Sequence, residues 1–282
     1  MLFYKKRRGN KREVAFCGIK LKYKVKKKYA NAPKEPAWDN GLKDVFAEAG
    51  ISLSRENGQY CIDKGNLHIE GSSFNTLITA NDVLYKDEYF LQSSDNYVMF
   101  DIGLNIGMTS LYKAEDKHIK KIYAFEPFKP TFELAVKNLK NNPQLSEKIS
   151  IFNFGLGNGD KFLEINYNSE RPGAMSSVRN VFENCSDVEK IEIKKASDVL
   201  KPLFDQHKEK IFMKIDCEGA EKEIIPDLNS SGLLKRADVV IMEWHFEDPS
   251  YLVSILRENG FVVFCNHVKF NELGMIRAVR TL

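Results

Sequence analysis

The chain has 282 residues, of which 43% are hydrophobic and 29% charged, ordinary values for a globular protein with a sizeable core. No apolar run approaches 18 residues, and the basic N-terminus leads into no apolar segment, so the sequence predicts neither a membrane-spanning helix nor a secretory signal. Five cysteines without C-x-x-C spacing argue against a disulfide framework or a zinc site and favour reduced thiols in the cytoplasm.

Charge is distributed unevenly along the chain. Residues 1–28 carry twelve Lys or Arg and a single acid, Glu13, whereas the remainder holds 30 basic and 38 acidic side chains. Anionic lipid headgroups attract such a cluster by about 1 kcal/mol per charge near the surface. Two interpretations stay open, a solvated basic arm and a peripheral contact with the inner face of a membrane. Nucleic acid is not an expected partner, because the segment contains no recognised nucleic-acid-reading module and the body is acidic.

The part of the chain before residue 96 predicts small, mixed structure. Residues 30–40, with Pro33 and Pro36, predict a linker, and 39–49 predict a short helix that ends at a glycine. Alternating apolar runs within 51–71, separated by the turn sequence D-K-G-N, predict a hairpin. We therefore predict two regions: 1–95, a basic arm with an accessory region of α+β structure, and 96–282, the main domain.

The main domain is predicted to begin with a strand–turn–helix–strand unit. Val98 to Phe100 predicts a buried strand that ends at Asp101, and after the turn D-I-G-L-N-I-G apolar residues recur with helical spacing from Met108. A second apolar run ends at Glu126. Glycines after the first strand let a ligand approach the backbone, and an acid after the second strand can accept hydrogen bonds from a ribose diol. The unit therefore predicts a nucleoside-binding crevice.

The glycine spacing indicates which class of nucleoside ligand the crevice would bind. The turn contains G-x-N-x-G instead of the dinucleotide fingerprint G-x-G-x-x-G, and the chain has no lysine-bearing P-loop. The sequence thus predicts no pyrophosphate cradle, which argues against the alternative of a nicotinamide-dependent oxidoreductase. S-adenosylmethionine (SAM), an adenosine with an amino-acid tail, suits the crevice.

Strands and helices alternate through the rest of the chain. Predicted strands lie at 149–152, 211–215, 239–245 and 261–264, a further strand at 275–279, and predicted helices at 130–139, 220–228 and 248–259. Pro226 is expected to kink or shorten the second of these helices. The alternation predicts a mostly parallel sheet with helices on both faces. The polar stretch 170–195 is either a lid or a surface excursion.

Four predicted strands end in an acid. These residues are Asp101, Glu126, Asp216 and Glu243. The carboxyl ends of parallel strands meet at one edge of a sheet, where ligands bind in such folds. We therefore expect the four carboxylates to lie along one rim.

Four motifs in this order, DIGLNIG, AFEP, KIDCEGAE and IMEWH, resemble those of the FkbM-type SAM-dependent methyltransferases. The resemblance covers about Val83 to Phe264. It implies a Rossmann-like class I methyltransferase fold, with a seven-stranded, mostly parallel sheet whose seventh strand is antiparallel. It also implies SAM as the cofactor and sugars or polyketide-type alcohols as methyl acceptors.

The resemblance also implies roles for individual residues. Asp101, Gly103, Asn105 and Gly107 would hold the methionine and ribose side of SAM, Glu126 followed by Pro127 would bind the ribose diol, Gly155 and Leu156 would line the adenine pocket, and Asp216 would face donor and acceptor. A hydroxyl acceptor needs a general base, for which His245 is the first candidate and Asp216 and Glu243 are alternatives. A divalent cation at Asp216, Glu218, Glu243 and His245 is a further alternative, but without a tight ligand-spacing motif we predict no metal.

The predicted function is SAM-dependent O-methylation of a sugar hydroxyl in surface-glycan (polysaccharide or lipooligosaccharide) biosynthesis. The basic segment favours a glycan acceptor, because an enzyme acting on lipid-linked glycans gains from residence at a membrane. Methylation of a polyketide-type alcohol and a non-catalytic nucleoside-binding protein are the alternatives.

Overall fold

The computed structural model describes residues 4–8, 11–16, 19–24, 36–91, 94–168, 175–179, 187–267 and 272–280, with side chains from residue 41 onward. The described strands are β1 (Tyr4–Arg8), β2 (Lys11–Phe16), β3 (Ile19–Lys24), β4 (Ile51–Glu56), β5 (Gln59–Lys64), β6 (Leu67–Gly71), β7 (Tyr97–Ile102), β8 (Ile119–Phe125), β9 (Ile149–Phe152), β10 (Gly155–Gly157), β11 (Lys161–Tyr167), β12 (Asp187–Lys195), β13 (Lys210–Ile215), β14 (Val239–His245), β15 (Phe261–Cys265) and β16 (Leu273–Arg280).

The described helices are α1 (Pro36–Glu48), α2 (Phe74–Ala80), α3 (Met108–Ala114), α4 (Lys129–Asn141), α5 (Pro143–Ser146), α6 (Ala196–Phe204), α7 (Glu221–Ser230) and α8 (Ser250–Glu258). A π-helical turn, Asn81–Tyr85, continues α2, and a 3₁₀ turn, Leu233–Arg236, follows α7. None of the helices in the described part of the chain combines the length and apolar character that crossing a bilayer requires.

A seven-stranded sheet forms the centre of the larger unit. Its order is β15-β16-β14-β13-β7-β8-β9, with β16 antiparallel to both neighbours and the remaining pairs parallel. The predicted α/β fold, with its antiparallel seventh strand, is therefore confirmed. The two halves of the sheet meet at strand β7, because β8 pairs with it on one side and β13 on the other. The switch point of the topology thus lies at the C-terminal end of β7, where such sheets bind ligands.

Both faces of the central strands are buried. On one face, Val98, Phe100 and Ile102 of β7 join a core cluster with side chains from α6, α7 and α8. On the opposite face, Met99 and Asp101 are fully buried as well. Burial on both faces explains why these strands are continuous apolar runs instead of alternating ones.

Two smaller sheets accompany the central one in the larger unit. Strands β4, β5 and β6 form an antiparallel meander, so the predicted hairpin is confirmed and gains a third strand. Strands β10, β12 and β11 form a second three-stranded sheet, in which β10 runs parallel to β12. The backbone of β1, β2 and β3 forms a third such sheet, within the basic segment.

The chain divides into two compact units, Met1–Ala49 and Gly50–Leu282. The meander, which we assigned to the accessory region, thus belongs to the same compact unit as the central sheet. The predicted division at residue 95 stays a prediction, while the compact units of the chain divide after residue 49.

Two expectations that rest on proline are corrected: the linker does not extend to residue 40, and Pro226 does not shorten its helix. Helix α1 begins at Pro36, inside the predicted linker, because proline is compatible with the first turn of a helix. Helix α7 continues past Pro226 to Ser230. Ile225 and Leu228 lie in the core cluster on either side of that proline, and their burial opposes its helix-breaking effect. Residues 169–174 and 180–186 of the polar stretch lie outside the described residues, so a lid stays a prediction.

Candidate active site

The turn after β7 has a backbone conformation that its sequence permits. Gly103 has φ +93°, Asn105 +53° and Gly107 +86°, a region that glycine enters freely and asparagine tolerates. A Cβ atom at Gly103 would overlap the carbonyl oxygen of Asp216. The glycine therefore allows the turns after β7 and β13 to approach each other closely.

A buried ion pair lies behind this turn. The Asp101 carboxylate accepts a hydrogen bond from Ser110 Oγ at 2.6 Å, and its other oxygen lies 2.9 Å from Lys214 Nζ without hydrogen-bond alignment. Lys214 also donates to the Gly103 carbonyl at 2.6 Å. Burial by itself would lower the pKa of Lys214, but the charges of Asp101 and Asp216 outweigh it and raise the pKa. Lys214 therefore stays cationic and joins the ends of β7 and β13.

Glu126 is oriented by backbone donors from two loops. Its carboxylate accepts hydrogen bonds from the amides of Asn105 and Phe128, both at 3.0 Å. Burial raises the pKa of Glu126 to about 7, although both hydrogen bonds oppose the shift. The carboxylate is thus fixed at the end of β8 and titrates near neutral pH.

The first cavity lies at the ends of β7 and β8 and encloses about 610 Å³, counting space open to solvent. Seven of its lining residues were predicted to bind the cofactor: Gly103, Asn105, Glu126, Pro127, Gly155, Leu156 and Asp216. Phe125, Phe128 and Ile193 add apolar surface, and Met175 and Ser177 reach it from the polar stretch. A carboxylate at one side of an apolar slot suits a nucleoside, whose base is flat and whose ribose donates hydrogen bonds.

The second cavity shares Gly103, Asn105, Asp216 and Glu218 with the first, so the two meet at the ends of β7 and β13. It encloses about 970 Å³, again counting space open to solvent. Five carboxylates line it: Asp82, Glu88, Asp216, Glu218 and Glu243. One wall comes from α2, the π-helical turn and the residues that follow, which supply Asn75, Ile78, Thr79, Asp82, Val83, Glu88 and Tyr89.

Asp216 is fixed between the two cavities. Tyr89 donates a hydrogen bond from its hydroxyl to Asp216 Oδ2 at 2.8 Å, and Lys214 Nζ lies 3.9 Å from the same oxygen. Burial raises the pKa of Asp216, but Lys214, His245 and the Tyr89 hydrogen bond together outweigh burial and lower it. Asp216 is therefore ionised at neutral pH.

Three further titratable groups surround Asp216. Burial raises the pKa of Glu218 to about 7, and burial with the charge of Asp216 raises that of Glu243 to about 9. Burial by itself lowers the pKa of His245, but Glu221, Glu218 and Asp216 outweigh it and raise the pKa to about 10. The Glu221 carboxylate, fully buried, also accepts hydrogen bonds from the amides of His245 and Gly219 at 2.7 and 2.9 Å.

The structure does not place every predicted residue at a cavity wall. Asp101 lines neither cavity, because its carboxylate faces Ser110 and Lys214. Gly107 lines neither cavity and lies against α4, where a Cβ atom would meet Leu139 at 3.2 Å. Direct contact of these two residues with a cofactor is therefore not supported. Both shape the turn from behind.

His245 lines the second cavity, as do the alternative candidates Asp216 and Glu243. With a pKa of about 10, His245 carries its proton at neutral pH and cannot accept another. The prediction that His245 serves as general base assumed a pKa near that of a free histidine. The surrounding carboxylates raise this pKa, so the assumption does not hold.

Sequence reasoning missed Lys214 and Tyr89. A lysine inside the apolar run of β13 was the available signal for Lys214, because a buried strand position tolerates a cation only beside acids. Tyr89 follows the π-helical turn without any local pattern. Its contact with Asp216 spans 127 residues of sequence, so only the fold reveals it.

The family follows from a match to a family model. Residues 101–263 match the methyltransferase FkbM domain, a range that includes the turn after β7 and the acids Glu126, Asp216 and Glu243. The chain belongs to the FkbM methyltransferase family. The resemblance in the sequence motifs is thereby confirmed, and the protein is a methyltransferase.

The chain is also similar to individual proteins. Methyltransferase sdnD from Sordaria araneosa is 27% identical over 216 residues, which cover 66% of this chain and 82% of that protein. Among solved structures, the methyltransferase FkbM from Methylobacillus flagellatus KT is 14% identical, with a TM-score of 0.46 over 70% of this chain. The match spans 47% of that protein's length. Streptococcus pneumoniae Sp1610, a putative tRNA (m1A22) methyltransferase solved in complex with SAM, is 15% identical, with a TM-score of 0.40 over 67% of this chain and 69% of its own.

Proposed function

We propose that this protein transfers the methyl group of SAM to a hydroxyl of a sugar acceptor in surface-glycan biosynthesis. The observation that carries the proposal is the junction of the two cavities. The first suits a nucleoside, the second is rich in carboxylates, and they meet at Asp216 and Glu218. Carboxylates accept hydrogen bonds from hydroxyl groups, and a sugar presents several hydroxyls at once.

SAM would occupy the first cavity. Its ribose diol would donate hydrogen bonds to Glu126, whose carboxylate the amides of Asn105 and Phe128 hold in place. Gly155 would leave room for the adenine, because a Cβ atom there would lie 2.6 Å from the Ile193 side chain. The methyl group would then point towards the junction, between donor and acceptor.

Methyl transfer is an in-line displacement, so alignment and exclusion of water supply much of the rate. The acceptor hydroxyl must lose its proton as the bond to carbon forms. We assign Glu218 as the general base that accepts this proton. Its carboxylate lies at the junction and accepts no hydrogen bond from the residues that the structure describes. Tyr89 and Lys214 hold Asp216 beside it, where Asp216 can accept a hydrogen bond from the acceptor.

The experiment is transfer of labelled methyl from SAM to a panel of glycan precursors and free sugars. Glu218→Gln should lower kcat by about 100-fold or more at unchanged affinity for SAM, the scale of a lost general base. Glu133→Gln, an exposed acid on α4, is the matched control and should retain full activity. Absence of transfer to every hydroxyl acceptor would reject the proposal.

A polyketide-type alcohol is a second candidate acceptor. Ile78, Val83, Leu104, Met108 and Leu273 give the second cavity apolar surface beside its carboxylates. Preference for an apolar alcohol over all sugars in the same panel would support it. Binding of SAM without turnover, unaffected by loss of His245 and Asp216, would instead support a non-catalytic nucleoside-binding protein.

We further propose that residues 1–28 bring the protein to an anionic membrane surface. Their twelve basic residues against one acid support this placement, and acceptors carried on lipids would be met there.

A further inference from the structure

Two carboxylates and an imidazole converge in the second cavity. Asp216, Glu243 and His245 each offer one ligand atom, and these atoms all lie within 4.8 Å of one another. Glu243 and His245 are two residues apart on β14, so they project from the same face of the strand. Asp216 directly follows β13, which pairs with β14. The sheet therefore fixes the separation of all three side chains.

The His245 ring points independently to a ligand. Its side chain is only 5% exposed, yet its buried Nδ1 makes no hydrogen bond within the described chain, and the carboxylates of Glu218 and Glu243 lie more than 3.5 Å from Nε2. Nε2 faces the cluster, 3.6 Å from Glu218 Oε2 and 4.0 Å from Glu243 Oε2. Buried polar groups are normally hydrogen-bonded, so a ring held in this way needs an explanation.

The other side of the ring has the surroundings of a metal ligand. Nδ1 lies 3.4 Å from Glu221 Oε1, a fully buried carboxylate fixed by two backbone amides. Histidines that bind a metal through one nitrogen commonly direct the other towards a carboxylate. Glu221 would thus orient the imidazole, while Nε2 faces Glu218 and Glu243.

We propose that Asp216, Glu243 and His245 bind a divalent cation of the Mg²⁺ or Mn²⁺ class. Carboxylate oxygens suit these ions, and imidazole is an accepted additional ligand for Mn²⁺. Small side-chain rotations would bring the three atoms to about 2.1 Å from the ion. Three protein ligands leave coordination positions open towards the cavity. Binding would displace the protons of His245 and Glu243, because a coordinating nitrogen is neutral and a coordinating carboxylate ionised.

The role of the cation in transfer rests on the proposed function. An acceptor hydroxyl bound to the ion becomes more acidic and is held at the junction of the two cavities. Its proton passes to Glu218 as the oxygen bonds to the methyl carbon. The carbon–sulfur bond breaks with its electron pair going to sulfur, which leaves a neutral thioether.

The test is Mn²⁺ binding by the full-length protein after treatment with a chelator, followed by electron paramagnetic resonance. The wild type should bind one Mn²⁺ per chain, and Glu243→Gln and His245→Ala should lower the affinity at least tenfold. Glu88→Gln removes a carboxylate of the same cavity outside the cluster and should change affinity less than threefold. Because His245 is buried, circular dichroism checks that the His245→Ala variant folds. Glu243→Gln, whose side chain is 23% exposed in the wild type, is the decisive variant.

A wild type that binds no Mn²⁺, or affinity that survives both substitutions, would overturn the site. A methyl-transfer assay distinguishes failure of the metal site from failure of the proposed function. Loss of transfer in EDTA with recovery on added Mg²⁺ or Mn²⁺ supports the site, whereas full transfer in EDTA overturns its role and leaves the function standing. Mn²⁺ binding without transfer to any acceptor supports the site and rejects the function.

Discussion

Three acids lie at the C-terminal ends of β7, β8 and β13, and two of them, Glu126 and Asp216, line a cavity there. Glu126 and Asp216 follow apolar strands directly, so their place at the rim follows from periodicity and from the geometry of parallel sheets. Asp101 obeys the same pattern but faces inward. A partner 113 residues away, Lys214, draws its carboxylate behind the turn. Position at a strand end was predictable, whereas the direction of the side chain depended on a distant charge.

Gly103→Ala should destabilise the protein by about 3 kcal/mol, combining a left-handed backbone penalty with overlap at the Asp216 carbonyl. Gly65→Ala is the matched control, because Gly65 has φ +60° and a Cβ atom added there would meet nothing within 4 Å. It should cost only about 1 kcal/mol. Denaturant unfolding measures both, and equal costs would show that the close approach of the two turns is unimportant.

Affinity for SAM should rise with pH between 6 and 8. With a pKa of about 7, Glu126 is mostly protonated at pH 6 and mostly ionised at pH 8, and only the carboxylate accepts hydrogen bonds from both ribose hydroxyls. The expected gain is about tenfold by calorimetry, since the ionised fraction changes by that factor.

Glu126→Gln should bind SAM weakly and with little pH dependence across this range. Persistence of the full slope in the variant would assign it to another group, with Glu218, whose pKa is also about 7, the first to examine.

At the scale of elements, the order of strands and helices was predictable, but not the contacts between distant ones. Asn138 on α4 is fully buried and bridges three elements. Its side chain pairs with the backbone of Glu70 in β6 through two hydrogen bonds and donates to the Ile106 carbonyl at 2.9 Å. Asparagine in a helical pattern gives no sign of such a role, because most are solvated. The contact joins the meander and the turn after β7 to one helix.

Asn138→Ala should destabilise the protein by about 2 to 4 kcal/mol, because it leaves the buried Ile106 carbonyl and the two partly buried backbone groups of Glu70 without partners. Hydrogen exchange at β6 should accelerate as the meander loosens from α4. Lys140→Ala, at an exposed position on the same helix, is the control and should stay within about 0.5 kcal/mol of the wild type. Similar losses in both variants would contradict the bridging role.

At the scale of the whole molecule, charge segregation was visible from the sequence, but the division into units was not. The meander has its own turn signals, and its contacts with neighbouring elements, among them hydrogen bonds to Asn138 on α4 and to Asn142 just after it, place it in the same unit as the central sheet. Local patterns describe elements, while the boundary between compact units depends on which elements share contacts.

The full-length protein should bind vesicles containing phosphatidylserine at low salt and dissociate at about 0.5 M salt, because the attraction is electrostatic and screened. Replacing Lys26, Lys27 and Lys28 by glutamine removes three charges and should weaken binding about 100-fold, at about 1 kcal/mol per charge. Sedimentation measures the bound fraction. Equal binding to neutral phosphatidylcholine vesicles would refute electrostatic attachment.

The wall that α2 and the π-helical turn contribute to the second cavity has an evolutionary consequence. Residues 75–89 lie outside the stretch that matches the family, 101–263, yet they face the place where an acceptor would bind. Residues 75–88 of this wall can therefore vary without changing the residues that would bind SAM, whereas Tyr89 is needed to hold Asp216. If the second cavity holds the acceptor, as we propose, a chimaera that receives residues 75–88 from another family member should take on the acceptor preference of that member.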